Sequence, residues 1–383
     1  MSIRRRRWVT KKGEERVRWL VDYTDNSGKR RAKQFKRKKD ADAWSTSAAW
    51  QVSQGIHTPD SQSISVEEAV NYWLVRARND ELERSTITSY EAAARLHILP
   101  FLSHIKLSKL SRPMIEEFRD KLLQTRSRSM AQRVIRYLVQ ILNEAMSRGL
   151  IAINPAKGVT VRQGRKEPIT IPSKDEQLAI IDACGCEERA FFLTVIFAGL
   201  RASELRGLAW SNIDFVQQTV KVTQRADSWN QIGLPKSKAG SRAIPLPDSA
   251  LNALRAWKLA SPYSKMDLVF PSNNGTPQSY SNLMQRKIHP IQIEAGVSVV
   301  STDKHGGKVH KAKYGLHAFR HAAASAWIDQ NIDLKRLQSW MGHENIQITI
   351  DTYGHLMHDS AKDAAFAAAS EKELFSETGA ARH

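Results

Sequence analysis

Two arginines, two histidines and one tyrosine stand out in this 383-residue chain because together they could carry out one reaction. In chain order they are Arg201, His317, Arg320, His343 and Tyr353. Forked guanidinium groups bind the non-bridging oxygens of a phosphodiester bidentately and stay charged at any working pH. A phenol, with a pKa of about 10, can attack phosphorus once it is activated. The set predicts a site that binds and breaks a phosphodiester without a metal.

Such a reaction also needs a proton donor for the leaving alkoxide, and lysine suits that role, while histidines can donate hydrogen bonds or shuttle protons. His317 and Arg320 are three residues apart on a predicted helix, so their side chains share one face. Arg201 and Glu204 have the same spacing, which indicates either a surface ion pair or a carboxylate that orients Arg201 or a neighbouring histidine. Each of these residues alone is weak evidence for such a site. The prediction rests on their occurring together in one chain.

The charge of the chain favours a polyanionic partner. The net charge is +19, and residues 1–40 hold 16 Lys and Arg against five Asp and Glu. A field of that sign attracts nucleic acid or an anionic membrane. There is no run of about 18 apolar residues, and the basic stretch Arg4–Arg7 is not followed by an apolar segment. We therefore expect an intracellular, cytoplasmic protein without a membrane span.

No metal site or cofactor is predicted. Cys184 and Cys186 are separated by one residue, so a disulfide between them would be strained, and two ligands do not make a structural zinc site. His305 and His310 could suggest metal ligands, but the stretch 297–313 is better interpreted as a flexible basic loop near DNA.

Composition and pattern predict a multidomain chain, mainly α with small β-sheets, in three domains: 1–58, 64–160 and 168–383. The first is predicted as a three-stranded sheet plus one helix, with strands at Arg16–Tyr23 and Lys29–Phe35. The second is predicted as a helical bundle, in which one helix stops near Pro100. The third is mixed α+β and ends in an Ala-rich tail helix, for which Ala365–Ala369 offers an apolar face to a neighbouring protomer.

Three motifs together resemble the tyrosine recombinases of the phage-integrase family. They are Ala198–Leu205 (AGLRASEL), Leu316–His321 (LHAFRH), and Met341–His343 (MGH) followed ten residues after the histidine by Tyr353. The resemblance covers the whole chain. It implies an arm-type DNA-binding domain, a helical SAM-like core-binding domain and a catalytic domain, in that order.

The resemblance also implies a role for each motif residue. Arg201 is similar to the family's first catalytic arginine, with Glu204 as its acidic partner. His317 and Arg320 correspond to the His-x-x-Arg pair, and His343 to the second histidine. Tyr353 would be the nucleophile that forms a 3′-phosphotyrosyl bond and frees a 5′-hydroxyl.

The family's catalytic lysine lies on a hairpin after the first arginine, which corresponds here to Leu234–Leu246. Lys238 is our preferred candidate, because it precedes an Ala-Gly turn and lies four residues before Arg242. Lys236 is the alternative.

The implied function is site-specific integration and excision of a mobile element by a homo-tetramer acting through a Holliday junction, without ATP or another cofactor. The implied partners are double-stranded DNA at core and arm attachment sites, a DNA-bending host protein and a recombination directionality factor. The candidate DNA-binding residues are basic side chains of all three domains: Arg4, Arg5, Arg6, Arg7, Arg18, Lys29, Arg31, Lys33, Arg128, Arg133 and Arg242.

Two other functions remain open at this point. A type IB topoisomerase uses similar phosphotyrosine chemistry but relaxes supercoils without choosing a sequence, and the arm-like domain argues against it. A non-catalytic DNA-binding regulator could share the scaffold, although every expected catalytic position is filled here.

Overall fold

The structure is a computed structural model that describes residues 1–10, 13–25, 28–53, 59–164, 169–303, 305–354 and 360–376. The chain divides into two compact units, Met1–Glu167 and Pro168–His383. Within the described ranges, no helix is long and apolar enough to cross a membrane. The predicted fold class is confirmed, because the chain is mainly helical with small antiparallel sheets, one of them a three-stranded sheet at the N-terminus.

The first unit begins with that sheet, whose strands follow one another in the order β1-β2-β3. The elements are β1 (Ser2–Val9), β2 (Glu15–Thr24), β3 (Arg30–Phe35) and the helix α1 (Lys38–Ser53). Trp44 of α1 packs on Tyr23 and Phe35, with ring centroids 5.2 and 5.6 Å apart. One face of the sheet is therefore covered by α1, and aromatic rings supply much of its buried surface.

A helical bundle completes the first unit. Its helices are α2 (Val66–Asn79), α3 (Arg84–Ala93), α4 (Leu99–Leu102), α5 (Arg112–Thr125) and α6 (Arg128–Ser147). Ser65 starts α2 with a capping box, in which the Glu68 N–H donates to Ser65 Oγ at 3.2 Å and the Ser65 N–H donates to Glu68 Oε2 at 2.7 Å. Helix α6 buries apolar residues at intervals of three and four, and these form the centre of the bundle core.

The prediction that a helix stops near Pro100 is wrong, because a π-helical turn at Ala94–Ile98 carries the helix past the proline. In that turn the Leu99 N–H bonds to the carbonyl of Ala94, five residues back. The wider turn accommodates the proline ring, which would otherwise clash with a carbonyl of the preceding turn. The same arrangement precedes Pro290 in the second unit.

The second unit is mixed α and β. Its helices are α7 (Lys174–Asp182), α8 (Cys186–Ala198), α9 (Ala202–Arg206), α10 (Asp248–Ala260), α11 (Tyr280–Leu283), α12 (His289–Glu294), α13 (Leu316–Asp329), α14 (Leu334–Met341), α15 (Ile346–Tyr353) and α16 (Ser360–Ser376). Its strands are β4 (Ile213–Asp214), β5 (Thr219–Val222), β6 (Arg225–Ala226), β7 (Ile232–Gly233), β8 (Arg242–Pro245), β9 (Ser298–Thr302) and β10 (Lys308–Ala312). Strands β4, β5 and β8 form one sheet, while β6 and β7 pair separately. The side chains of Ala365 and Phe366 in the tail helix lie outside the described residues.

The segment 297–313 corrects the sequence interpretation. The sequence predicts a flexible basic loop here, but β9 and β10 pair as an antiparallel hairpin in which Val300 lies opposite His310. Valines in both strands favour β structure. The turn is stabilised by Asp303, whose Oδ1 accepts the Gly307 N–H at 2.7 Å.

Helix α8 lies in the core of the second unit. After a charged first turn it is apolar on nearly all sides, and its residues from Ala190 to Val195 are buried. Phe192 meets Phe319 of α13 with ring centroids 5.3 Å apart. This packing brings the end of α8, where Gly199 and Arg201 follow, next to Arg320 of α13.

Candidate active site

Residues from five separate segments of the second unit line one cavity of about 370 Å³. Its wall contains Arg201, Lys236, Ser237, His317, Arg320, His321, Gly342, His343, Glu344, Ile348, Thr352 and Tyr353. The two arginines, two histidines and tyrosine of the sequence prediction are all among them. Residues separated by up to about 150 positions in the chain are thus adjacent in the fold.

Arg201 lies between helices α8 and α9, at the N-cap of α9. Gly199 ends α8 with a φ of +56°, a left-handed conformation that glycine adopts without strain. From there Arg201 donates from Nη1 to Glu204 Oε1 at 2.8 Å and from Nη2 to the Gly342 carbonyl at 2.8 Å. Its side chain remains 38% exposed, so it can still meet a ligand.

Glu204 holds two arginines at once. Arg242 donates from Nη1 to Oε1 at 3.0 Å and from Nη2 to Oε2 at 2.8 Å, while Arg201 pairs with Oε1 from the other side. Burial alone would raise the pKa of Glu204. The hydrogen bonds and charge of Arg242, and then the charge of Arg201, outweigh burial and hold that pKa at about 2. The carboxylate is therefore ionised at neutral pH.

Arg242 differs from its predicted role as a DNA-binding residue. Its side chain is only 3% exposed. Besides Glu204, it donates from Nε to the Trp340 carbonyl at 2.6 Å and from Nη1 to the Gly240 carbonyl at 2.9 Å. A guanidinium enclosed in this way ties strand β8 to the end of α14 and positions the groups around the cavity.

Arg320 is almost fully buried and is held by main-chain carbonyls. Its Nη1 donates to the Gly199 carbonyl at 2.6 Å, and its Nη2 donates to the Met341 carbonyl. Burial and the neighbouring Arg201 lower the pKa of Arg320, although a guanidinium remains charged at neutral pH. The carbonyls fix the direction of this side chain before any ligand arrives.

His343 follows α14 and is oriented by a residue that the sequence did not single out. Its Nδ1 lies 2.9 Å from Oγ1 of the buried Thr349, and its Nε2 lies 3.4 Å from Nη2 of Arg320. Burial, followed by the charges of Arg320 and Arg201, lowers the pKa of His343 to about 4. The imidazole is therefore neutral at pH 7, and Thr349 determines how it faces the cavity.

His317 is the most exposed of the three histidines in the cavity wall. Desolvation and the charges of Arg320 and Arg201 lower its pKa. As expected from the spacing, it projects from the same part of α13 as Arg320. A neutral imidazole here can donate one hydrogen bond towards an anion held by the two arginines.

Tyr353 is the last residue of α15, and it is only 2% exposed. Burial raises its pKa to about 12, despite the opposing charges of Arg320 and Arg201. Its hydroxyl lies 2.8 Å from Nδ1 of His321. The sequence motif around His317 and Arg320 includes His321, to which no role was assigned, yet its position four residues after His317 on one helix could have indicated the same face.

The lysine of the cavity is Lys236 and not the preferred Lys238. Lys236 belongs to the wall of the cavity, together with Ser237. Lys238 begins a short 3-10 turn at Lys238–Gly240, has an exposed side chain and is not part of that wall. The alternative candidate, Lys236, is therefore the lysine that the structure places in the cavity with Arg201 and Arg320.

The charges of the cavity do not cancel. Glu204 balances one of the two guanidinium groups that it pairs with. Arg320 and Lys236 add two positive charges, and Glu344 in the cavity wall offsets one of them. The neighbouring histidines His321 and His343 are neutral at pH 7, because the pKa of each is lowered to about 4. The site therefore attracts an anion, and forked donors at a fixed separation suit a phosphodiester.

The predicted DNA-binding residues of the sheet fall on two different faces. Arg6 lies opposite Arg18 in the register of β1 and β2, and Arg4 shares their face, which is the one not covered by α1. We call Arg4, Arg6 and Arg18 the open-face arginines. Arg5 and Arg7 alternate with them but are also exposed.

Arg31 and Lys33 are on the side of β3 that faces α1. Arg31 Nε lies 2.8 Å from Asp25 Oδ2, and Lys33 Nζ lies 2.9 Å from Asp60 Oδ2. These two residues are thus engaged within the unit. Lys29, Arg128 and Arg133 have side chains that are at least partly exposed.

Comparisons with known proteins identify the family. Residues 173–359 match the phage integrase family, and residues 65–123 match the phage integrase N-terminal SAM-like domain. A XerC-like tyrosine recombinase of Caldanaerobacter subterraneus subsp. tengcongensis is 26% identical, over 91% of this chain and 94% of its own length. The ICEBs1 integrase of Bacillus subtilis is 22% identical, over 80% of this chain and 83% of its own length.

Solved structures share the fold. The Tn1549 transposon integrase in complex with a circular intermediate DNA has a TM-score of 0.64 at 18% identity, covering 81% of this chain and 99% of that one. A lambda integrase tetramer bound to a Holliday junction has a TM-score of 0.57 at 17% identity, covering 88% and 95%. The chain belongs to the phage integrase family of tyrosine recombinases, which break and rejoin DNA.

Proposed function

We propose that this chain integrates and excises a mobile DNA element by attaching Tyr353 covalently to the 3′ phosphate of a cut strand. The observation that carries the proposal is the convergence of Arg201, Arg320, His343 and Tyr353 on one positively charged cavity. Such a cavity stabilises the extra negative charge that develops on phosphate oxygens during attack.

In the proposed reaction the two arginines bind the non-bridging oxygens of the scissile phosphate, and His317 and His343 supply further hydrogen bonds. The hydroxyl of Tyr353 attacks phosphorus, and the 5′-oxygen departs with the electron pair of the broken bond. Lys236 donates the proton that the departing oxygen needs. Because the phosphotyrosyl bond conserves the energy of the phosphodiester, rejoining requires no ATP.

Glu204 and Arg242 act in this proposal as positioning residues. The carboxylate fixes Arg201 through one oxygen and is itself fixed by Arg242 through both. Since side-chain freedom is removed before DNA binds, the guanidinium does not have to be ordered during the reaction.

The first unit is proposed to supply DNA affinity outside the reacting site. Its open-face arginines would contact the groove of an arm-type site, and Arg128 and Arg133 of α6 would contact the core site. These contacts are chiefly to phosphate, so they determine affinity and register more than sequence.

We further propose that four copies assemble on two core sites, as the lambda integrase tetramer does on a Holliday junction. A DNA-bending host protein and a directionality factor are proposed helpers at the arm sites. The protein would then act on the nucleoid, where its attachment sites are found.

Recombination between two plasmids, each carrying one attachment site of the element, tests the proposed function. We expect the wild type to join the plasmids and Tyr353→Phe to leave them separate. Relaxation of plasmids without joining would instead support a type IB topoisomerase. Binding without either product would support a non-catalytic regulator.

A further inference from the structure

The hydroxyl of Tyr353 has a specific partner that no step above uses. Nδ1 of His321 lies 2.8 Å from the phenolic oxygen, and both residues are buried, at 8% and 2% exposure for His321 and Tyr353. The rings lie 5.4 Å apart between centroids. A buried hydroxyl bound to an imidazole nitrogen at this distance is arranged for transfer of its proton.

The ring of His321 is set by its neighbours on α13 and by the tyrosine. His317 packs against it edge to face, with ring centroids 4.4 Å apart, and Arg320 is the adjacent residue. His343 also lies close enough for the two histidines to influence each other electrostatically. His317 and Arg320 both disfavour a proton on His321 in the absence of DNA.

We propose that His321 is the proton acceptor for Tyr353 in the cleavage reaction. As the phenolic oxygen forms its bond to phosphorus, the phenolic proton moves to Nδ1, and the phosphorus–O5′ bond breaks with its electron pair going to the 5′-oxygen. Rejoining reverses each step: the 5′-hydroxyl attacks, the phosphotyrosyl bond breaks, and Nδ1 returns the proton to Tyr353. This inference rests on the proposed function, since it assigns a residue to the same reaction.

The protonation states are suited to this role. Burial lowers the pKa of His321 to about 4, with smaller contributions from the charges of His317 and Arg320. Nδ1 is therefore unprotonated at neutral pH. The phenol, with its raised pKa, keeps its proton until attack begins. A bound phosphodiester adds negative charge beside the imidazole, which favours the imidazolium and makes His321 a stronger base when substrate is present.

Two substitutions separate proton transfer from simple support of the tyrosine. In His321→Asn the amide oxygen can lie near the position of Nδ1 and accept the hydrogen bond, but it cannot take a proton. His321→Ala removes both properties. His289→Asn in α12, outside the cavity wall, is a matched control for the same change of side chain.

The experiment measures single-turnover cleavage by the full chain on a nicked attachment-site substrate that traps the covalent adduct. We expect both His321 variants to cleave more slowly by about 10² to 10⁴-fold, and His289→Asn to cleave like the wild type. We expect the wild-type rate to be level between about pH 6 and 8.5, a range that lies above the lowered pKa of His321 and below the raised pKa of Tyr353. The rates of the His321 variants should rise with pH, because hydroxide must then remove the phenolic proton.

A second measurement distinguishes a defect at the leaving group from a defect at the attacking tyrosine. A substrate with sulfur in place of the 5′-bridging oxygen needs no proton donor, so it should restore cleavage by Lys236→Ala but not by His321→Ala. Added imidazole should partly restore His321→Ala by occupying the vacated space.

Wild-type rates with a level pH profile in His321→Asn would overturn proton transfer by His321, as would wild-type cleavage by His321→Ala. Rescue of His321→Ala by the sulfur substrate would also contradict the proposal, by indicating a role at the leaving group. Absence of any adduct with the wild type would contradict the proposed function itself, which keeps the two failures distinct.

Discussion

At the scale of single residues, the carboxylate of Glu204 determines where two guanidinium groups point. It is 3% exposed and ionised, and it pairs with Arg201 and with the equally buried Arg242. A buried ion pair of this kind contributes little to stability by itself, but removing one partner leaves an uncompensated charge. The residue therefore couples the stability of the second unit to the geometry of its cavity.

Glu204→Gln should lower the free energy of unfolding by about 3–5 kcal/mol, because Arg242 is left buried without a counter-ion. It should also slow DNA cleavage, because Arg201 loses its orientation. Glu116→Gln is the matched control, since Glu116 pairs with Arg112 on the surface of α5 at 2.9 Å and should change stability by less than about 1 kcal/mol. Urea unfolding of all three proteins measures the difference, and equal values for the two variants would contradict it.

The same carboxylate gives stability a defined pH dependence. Its pKa is about 2 in the folded chain and about 4.3 when unfolded. A depressed pKa stabilises the fold above the unfolded value, so this contribution, about 3 kcal/mol, is lost as pH falls from about 4.3 towards 2. Glu204→Gln should lose less stability than the wild type over that interval.

Thr349 and His343 provide a further prediction for single residues. Thr349→Val keeps the shape of the buried side chain but removes the hydroxyl that lies 2.9 Å from His343 Nδ1. We expect cleavage to slow about tenfold, the equivalent of one hydrogen bond of about 1.4 kcal/mol. Thr194→Val removes a buried hydroxyl that bonds within α8, and it should leave the cleavage rate unchanged. Equal cleavage by the two variants would argue that Thr349 does not orient His343.

The sequence predicted those cavity residues whose role depends on the type of side chain alone. Arginine, histidine and tyrosine in one order indicated phosphate chemistry without any structure. The choice between Lys236 and Lys238 was not predictable, because it depends on the turn that follows. The enclosure of Arg242 was not predictable either, since its partner Glu204 lies 38 residues away in the chain.

At the scale of elements, the ends of the helices position the side chains of the cavity. Gly342 ends α14 with a φ of +60° and offers its carbonyl to Arg201. A Cβ at that position would lie 2.7 Å from Nη1 of Arg242. The left-handed turn and the close approach together require glycine there.

Gly342→Ala should therefore destabilise the chain by more than the roughly 1–2 kcal/mol expected for a left-handed non-glycine residue, and it should slow cleavage. Gly296→Ala is the control, because Gly296 has a φ of +73° but no atom within 4 Å of the added Cβ. It should show the backbone cost alone and cleave like the wild type. Thermal unfolding and cleavage rates measure both effects, and a smaller loss in Gly342→Ala than in the control would contradict the account.

Local sequence patterns predicted most helices and strands as the correct type. They did not always predict where a helix or strand ends. The strands predicted at Arg16–Tyr23 and Lys29–Phe35 are present as β2 and β3, with each end within one residue of the prediction. The helix through Pro100 and the hairpin β9–β10 were missed. A π-helical turn costs little free energy when tertiary packing supports it. Rules based on single residues do not take packing into account, so they predict a helix end at the proline.

At the scale of the whole molecule, basic side chains are found both in the cavity of the second unit and on the sheet of the first unit. The sheet of the first unit carries the open-face arginines, of which Arg4 pairs with Asp22 at 2.9 Å. Arg31 and Lys33 lie on the face covered by α1 and pair with Asp25 and Asp60. Composition predicted a polyanionic partner for the chain. Composition could not predict which face of the sheet each basic residue occupies, because the register of the strands determines the face.

Arg6→Ala combined with Arg18→Ala should weaken binding to arm-site DNA and reduce the slope of log affinity against log salt by about 0.9 for each phosphate that is no longer neutralised. Lys33→Ala, on the α1 side and 2.9 Å from Asp60, should leave the slope unchanged. Cleavage of a core site alone should be the same in all three proteins. A change of slope in Lys33→Ala equal to that of the double variant would contradict the assignment of faces.

The most direct test of the account is to identify the residue that becomes attached to DNA. The wild type is incubated with a nicked attachment-site substrate, the adduct is trapped in SDS, and the digested peptide is sequenced by mass spectrometry. We predict a 3′-phosphotyrosyl peptide that contains Tyr353, and no adduct with Tyr353→Phe. Attachment through any other residue, or an adduct that persists in Tyr353→Phe, would contradict the account.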